Sequence, residues 1–347
     1  MPAEWEPHAA TWLAWPHERT DWPGKFAPIP WVYADIVRRL ARVEHVRILV
    51  QDQGEQRDAQ RILKKSGADL AAVEFFVVPT NRGWTRDFGP IFIKKRSSDK
   101  RARPNGGIAL TNWRFNAWAK YDDWKKDDAA TQRLLPKLKM PFWEPEHGGE
   151  HVVLEGGSIE VNGLGTLLTT EECLLSPLQV RNPGFSRQDF ETVFRNYLGA
   201  TNVLWLGNGI AGDDTHGHVD DLARFVNPRT VVTMVEKDRS DSNYHPLQEN
   251  LARLRRMKDQ EGRRLRVETL PMPEPVYFDG QRLPASYANF YIANKLVLVP
   301  TFTDASDRVA LNTLAGLFPD REVVGIPCRD LVLGLGTLHC MTQQQPA

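Results

Sequence analysis

The chain has 347 residues, room for one large domain or two ordinary ones, and 41% of them are apolar, enough for an extensive core. Lys+Arg and Asp+Glu balance at 44 each, so no basic excess invites nucleic acid and no single-signed field invites a membrane surface. Three scattered cysteines (Cys173, Cys328, Cys340) make no disulfide framework, and neither a secretory leader nor an apolar run of roughly 20 residues is present, which predicts a cytoplasmic enzyme.

In chain order, Met1 to Gly24 carries Trp5, Trp12, Trp15 and Trp22 and reads as loop whose rings cover a surface or wall a pocket. A helix is predicted over 31–43, with Ile36, Val37, Leu40 and Val43 on one side. A strand over 46–50 follows, then a helix over 55–65 stopped by Ser66-Gly67, then a strand over 74–78. The stretch Asn81-Arg82-Gly83-Trp84-Thr85-Arg86-Asp87-Phe88-Gly89-Pro90 is turn-rich and sets Asp87 between an arginine and an aromatic ring. The polar run Arg96 to Arg103 reads as a flexible loop, 108–115 as a strand and 129–138 as a helix. Within His147 to Gly157, Glu155 stands after an apolar run and before two glycines. Strands over 158–161 and 166–169 pair around Asn162-Gly163. A helix over 186–198 has Ser186 as its N-cap. A strand over 203–206 leads into Gly212-Asp213-Asp214-Thr215-His216-Gly217-His218-Val219-Asp220-Asp221. Strands over 224–226 and 231–235 flank Asn227-Pro228, and 246–257 is an amphipathic helix on Leu247, Leu251 and Leu254. Strands over 267–270, 290–292 and 296–299, a helix over 307–317 and a last clear strand over 323–326 complete the reading. Short strands and helices alternate without a dividing linker. The class is therefore α/β, a single domain over 1–347, and the returning cadence allows a radial arrangement of weakly similar units.

Acid and base groups are densest at 212–221, with two histidines and four carboxylates in ten residues. If the second half of this run is extended, alternation puts His216, His218 and Asp220 on one side. His216-Gly217-His218 with Asp220 partly imitates a His-x-His-x-Asp-His zinc pattern, but Asp221 stands where the final histidine belongs. Apart from His147 with His151, the other histidines lack ligand spacing, so no metal is expected. Cys173 and Cys328 read as small buried thiols. Cys340 follows Gly334-Leu335-Gly336-Thr337-Leu338-His339 and precedes polar residues; local context leaves open whether it is catalytic or merely buried. Singly, Asp87 reads as a surface partner of Arg86, and Glu155 as a solvated turn residue. Together, a cysteine, a histidine and several loop acids fit one chemistry. Carboxylates hold a flat guanidinium by paired charge-assisted hydrogen bonds. A thiolate adds to its central carbon, and a histidine oriented by a further acid protonates the departing ammonia.

These motifs resemble the agmatine deiminase family, in the bacterial peptidylarginine-deiminase-like branch of the guanidine-modifying (pentein) superfamily. The resemblance runs nearly end to end, through Met1-Pro-Ala-Glu-Trp5, Trp84-Thr-Arg-Asp-Phe-Gly-Pro90, Leu154-Glu-Gly-Gly-Ser-Ile159, Thr169-Thr-Glu-Glu-Cys-Leu-Leu175, the 212–221 decapeptide, Ser286-Tyr-Ala-Asn-Phe-Tyr291 and Leu338-His-Cys-Met-Thr-Gln-Gln344. It implies a five-bladed α/β propeller of ββαβ modules around a pseudo-fivefold axis, with an acidic central pocket. By the same resemblance Cys340 is the nucleophile, His218 the general acid/base, Glu155 the acid orienting it, and Asp87 and Asp220 the guanidinium clamp. His216 stays outside this set. Trp84 and Asp214 are further candidates for lining the pocket and meeting the substrate's distal amine, with a structural role for each left open. The implied reaction converts agmatine to N-carbamoylputrescine and ammonia through a Cys340 thiouronium, with no metal or organic cofactor; analogy also suggests a homodimer. The sequence departs from the family at 178–183, looser than Asn-Arg-Asn-Pro, and in having fewer glycines before Cys340. Rival readings are deimination of arginine, methylarginine or peptidyl-arginine, amidino transfer, and a catalytically silent ligand-binding propeller.

Overall fold

The N-terminal stretch expected to be loop contains a strand, His8–Ala14. It pairs in parallel with His45–Val50, itself parallel to Val73–Val77, and antiparallel with Gln343–Pro346 at the far end of the chain. The computed structural model describes residues 1–95 and 107–347; the predicted loop at 96–103 lies outside the described residues. His8–Ala14 escapes a sequence reading because both faces are covered: Trp12 and Leu13, on opposite faces, are each 0% exposed, so polar–apolar alternation is missing. Gln343–Pro346 escapes for the opposite reason, since it is polar yet buried. Two of its three amide oxygens are spoken for: Gln345 accepts from Trp12 Nε1 at 2.9 Å and from Arg47 at 2.6 Å, and Gln344 accepts from Arg86 at 2.7 Å, while Gln343 Oε1 is buried without a partner among the described residues.

Four further sheets follow one plan among the described residues. Their strands are Ile91–Lys94, Ile108–Thr111 and Phe142–Trp143; Glu160–Val161, Thr166–Thr170 and Asn202–Leu206; Ala223–Asn227, Thr230–Val235 and Arg266–Pro271; and Tyr291–Ala293, Leu296–Thr301 and Glu322–Pro327. In each, the middle strand is antiparallel to the first and parallel to the third. The parallel step needs a crossover, supplied by the helices Ala130–Leu138, Arg187–Val193, Tyr244–Leu254 and Ala305–Leu317 respectively. The first sheet obeys the same order if the chain's end is taken first: Gln343–Pro346, His8–Ala14, the helix Ile29–Leu40, then His45–Val50. The result is a mixed α/β fold of small sheets.

Local chemistry accounts for the element ends. Asp52 caps the helix Gln53–Ser66 by accepting from Gly54 and Glu55, and Gly67 ends it at φ 78°. Ser186 and Asp189 form a capping box at Arg187–Val193, which bears out the predicted cap. The 212–221 run corrects the extended reading. Gly212, His216 and Gly217 have φ of 90°, 62° and 92°, and Val219–Asp221 is a 3-10 turn. Asp213 folds this turn by accepting from the amides of Thr215, Gly217 and His218 at 2.8, 2.7 and 3.1 Å. Strand alternation therefore does not operate there. His216 turns away toward Ser176, at 3.0 Å, and Glu172, at 3.8 Å.

Candidate functional site

The predicted site residues sit on turns next to strand ends. Asp87 lies on the one-turn helix Thr85–Phe88, Glu155 immediately before the 3-10 turn Gly156–Ser158, His218 and Asp220 at the turn Val219–Asp221, and Cys340 just before the last strand. The structure brings these five together. His218 Nδ1 is 3.8 Å from Asp87 Oδ1, its Nε2 is 3.6 Å from Glu155 Oε2, and Cys340 Sγ is 3.8 Å from Asp220 Oδ2. Gly157 marks the point of convergence. A Cβ there would meet His218 Nδ1 at 2.6 Å, Asp87 Oδ1 at 2.9 Å and Asp220 Oδ2 at 3.0 Å, so only glycine leaves the groups their room. Cys340, Asp87, Trp84 and Asp214 line one cavity of about 260 Å³, while Glu155, His218 and Asp220 lie buried behind its wall. Trp84 packs against Trp22, ring centroids 5.5 Å apart and tilted by 41°, and a Cβ at Gly336 would press on both the Trp84 ring and Cys340.

Electrostatics divide the acids by neighbourhood. Burial, reinforced by Asp220 and Glu155, pushes the Asp87 carboxyl up to about 6 against the pull of His218. Glu155 is equally buried, but Arg181, whose Nε lies 3.1 Å away, and then His218 hold it down at about 2. Asp220 also lies below its ordinary value, because His339 more than offsets its burial. Burial drags the His218 imidazole downward, yet Asp87, Cys173 and Glu155 overcome this and leave it well above the usual histidine value. Burial, then Asp220, Asp221 and Asp87, raise the Cys340 thiol well above its ordinary value. Both directions favour the protonated form, of the sulfur and of the ring.

Sequence reasoning missed several residues that hold this arrangement. Trp118 donates its indole N–H to Asp87 Oδ2 at 2.9 Å, and the Gly157 amide donates to Oδ1 at 3.0 Å. Asn289 spends its amide hydrogens on Cys340 Sγ, at 3.1 Å, and Asp221, at 3.0 Å. His339 stands between Asp220, at 2.7 Å from Nδ1, and Glu4, at 2.8 Å from Nε2. Glu4 also meets Arg86 at 3.3 Å and Arg224 at 3.0 Å. Arg86 is thus 2% exposed and paired with Glu4, not with Asp87 on the surface. Asn289 and His339 fall inside quoted motifs, and that is the signal that could have found them. Cys173 is buried as expected, but it lies beside His218. Glu155, Cys173 and His218 each offer a donor atom within 4.8 Å of the others. Arg181 on Glu155 places a fixed positive charge next to any cation seated there.

A buried thiol and a carboxylate on one cavity, with an imidazole and further acids converging behind its wall, make a candidate site for a flat cation. The chain belongs to the Porphyromonas-type peptidyl-arginine deiminase family, which it matches over residues 1–346. It is 36% identical to an agmatine deiminase of Stutzerimonas stutzeri, covering 100% of this chain and 95% of that one. Among solved structures it is similar to the agmatine deiminase of Enterococcus faecalis, at 32% identity and a TM-score of 0.88, with 100% and 95% of the two chains covered. It is also similar to a cysteine-to-serine variant of C. jejuni agmatine deiminase with substrate bound, at 30% identity and a TM-score of 0.85, with 100% and 96% covered. No helix among the described residues is long and apolar enough to cross a membrane.

Proposed function

We propose that this protein hydrolyses agmatine to N-carbamoylputrescine and ammonia. The observation that carries the reading is the meeting of Cys340 and Asp87 on one cavity, with His218 3.8 Å from Asp87 and 3.6 Å from Glu155. Asp87 and Asp220 clamp the guanidinium, and Asp220 Oδ1 is a buried oxygen without a hydrogen-bond partner in the protein, suited to a guanidinium N–H. The arriving cation supplies positive charge beside a sulfur whose ionisation the acids oppose, so substrate binding itself favours the thiolate, and the thiol proton passes to solvent. Cys340 Sγ then bonds to the guanidinium carbon. His218 gives its proton to the departing nitrogen, ammonia leaves, and a thiouronium remains on the sulfur. The neutral ring, oriented by Glu155, next takes a proton from water attacking the same carbon. The carbon–sulfur bond breaks, the hydroxyl left on the carbon gives its proton to the departing thiolate as the carbonyl forms, and the substituted urea departs. Trp84 walls the head of the cavity. No step calls for a metal or organic cofactor.

The five sheets sharing one strand order, closed by pairing of the first strand with the last, support a five-bladed propeller and a single domain over 1–347. A cytoplasmic homodimer is the state proposed by analogy. The test is release of ammonia and N-carbamoylputrescine from agmatine by wild type and by Cys340→Ala, with arginine and an arginine peptide alongside. Turnover only on agmatine, lost in the variant, is expected. Preference for arginine or the peptide would move the reading to another guanidine, and an active Cys340→Ala would remove the nucleophile.

A further inference from the structure

Asp214 stands in the cavity wall, and both its oxygens are already engaged. The Lys120 ammonium pairs with Oδ1, and the Tyr121 hydroxyl donates to Oδ2 at 2.6 Å. The Asp214 side chain is 11% exposed and that of Lys120 is 41% exposed; a fixed acid is thus met by an ammonium reaching in from the solvent side on a flexible stem. The same short loop touches the other end of the cavity, because Trp118 bonds Asp87. It is held in an unusual shape: Ala117, Trp118 and Ala119 have φ of 49°, 58° and 52°, a left-handed run that residues other than glycine adopt at a cost. Gln179 pins it by donating to the carbonyls of Trp118 and Asp214, each at 3.1 Å.

We propose that Lys120 is a specificity-determining residue: its ammonium holds Asp214 as an internal stand-in for a cationic substrate tail, and a substrate engages this end of the cavity by displacing it. The inference rests on the guanidine-hydrolase reading and extends it from the head of the substrate to its tail. Exchanging one ammonium for another on the same carboxylate yields little net binding. Lys120 therefore sets how much a charged tail gains over a neutral one. Removing it leaves Asp214 with only Tyr121 and makes the tail end more acidic.

The test compares agmatine with n-butylguanidine, which has the same head and a neutral tail. In Lys120→Met, KM for agmatine is expected to fall about two- to fivefold, the scale of a solvent-exposed ion pair. kcat stays within about twofold and KM for n-butylguanidine scarcely moves. In an Asp214→Asn background the Lys120→Met effect should vanish, because its target is gone. Lys120→Arg, which keeps the charge, should resemble wild type, and serves if the methionine variant folds poorly. An agmatine KM that is unchanged or raised in Lys120→Met, or an equal fall for both guanidines, would overturn the proposal. A folded wild type that deiminates neither guanidine overturns the underlying reading instead.

Discussion

In the proposed mechanism Cys340 attacks a carbon from a setting that opposes its ionisation. Burial, then Asp220, Asp221 and Asp87, oppose ionisation of the sulfur, and in the proposal Asp87 and Asp220 recruit the cation that relieves the opposition. This predicts that the free enzyme is a sluggish target for alkylation. Iodoacetamide labelling of the Cys340 peptide, followed by mass spectrometry from pH 6 to 10, should keep accelerating through pH 9 without a plateau. A plateau near pH 7 would mean a thiolate already present in the free enzyme. The residues carrying this chemistry were legible because each stands in a dense local pattern: Asp87 in a turn-rich run, Glu155 before paired glycines, His218 and Asp220 in the decapeptide. Trp118, Asn289 and His339 were not legible from local context. Each acts on a partner distant in the chain, at separations of 31, 51 and 119 residues; the motifs around Asn289 and His339 mark those two as notable but do not name their partners.

The elements that aim these groups are turns, and a turn works here by what it omits. Gly157 lies against His218, Asp87 and Asp220 at distances no Cβ tolerates, although its backbone is not among those with positive φ. Gly157→Ala should therefore fold, yet lose at least about 100-fold in kcat/KM, equivalent to roughly 2.7 kcal/mol of transition-state stabilisation. Thermal melting alongside the kinetics checks it, and near-wild-type turnover would show that the convergence point is not crowded. Helices were easier to read than strands at this scale. Amphipathic stripes and caps announce Gln53–Ser66 and Arg187–Val193, whereas His8–Ala14 is covered on both faces and Gln343–Pro346 is a buried run of amides. The decapeptide misled because a count of alternating residues presumes a strand, and Asp213 folds that segment into turns instead.

Across the whole molecule the site is braced by buried charge. Glu4 from the N-terminal segment meets Arg86, Arg224 and His339, and His339 reaches Asp220, so residues near both chain ends are tied to one half of the proposed guanidinium clamp. Such networks make stability depend on pH. Glu155 is held at about 2, below its ordinary 4.5; its contribution is in place above roughly pH 4.5 and is lost as pH falls toward 2. That contribution is of order 3 kcal/mol, and Glu4, which Arg224 and His339 hold low against its burial, adds to it in the same direction. Urea midpoints at pH 7 and pH 3 should thus differ less for Glu155→Gln than for wild type, even though the variant is weaker at pH 7 through its unpaired Arg181. An equal acid sensitivity would assign the pH dependence elsewhere. The most direct measurement of the account is made at the sulfur: wild-type protein mixed with agmatine, quenched in acid within a turnover, digested and weighed. A Cys340 peptide heavier by agmatine less ammonia is the predicted result, absent from Cys340→Ser. Turnover that continues with that peptide unmodified at every quench time, and survives in Cys340→Ser, would contradict it.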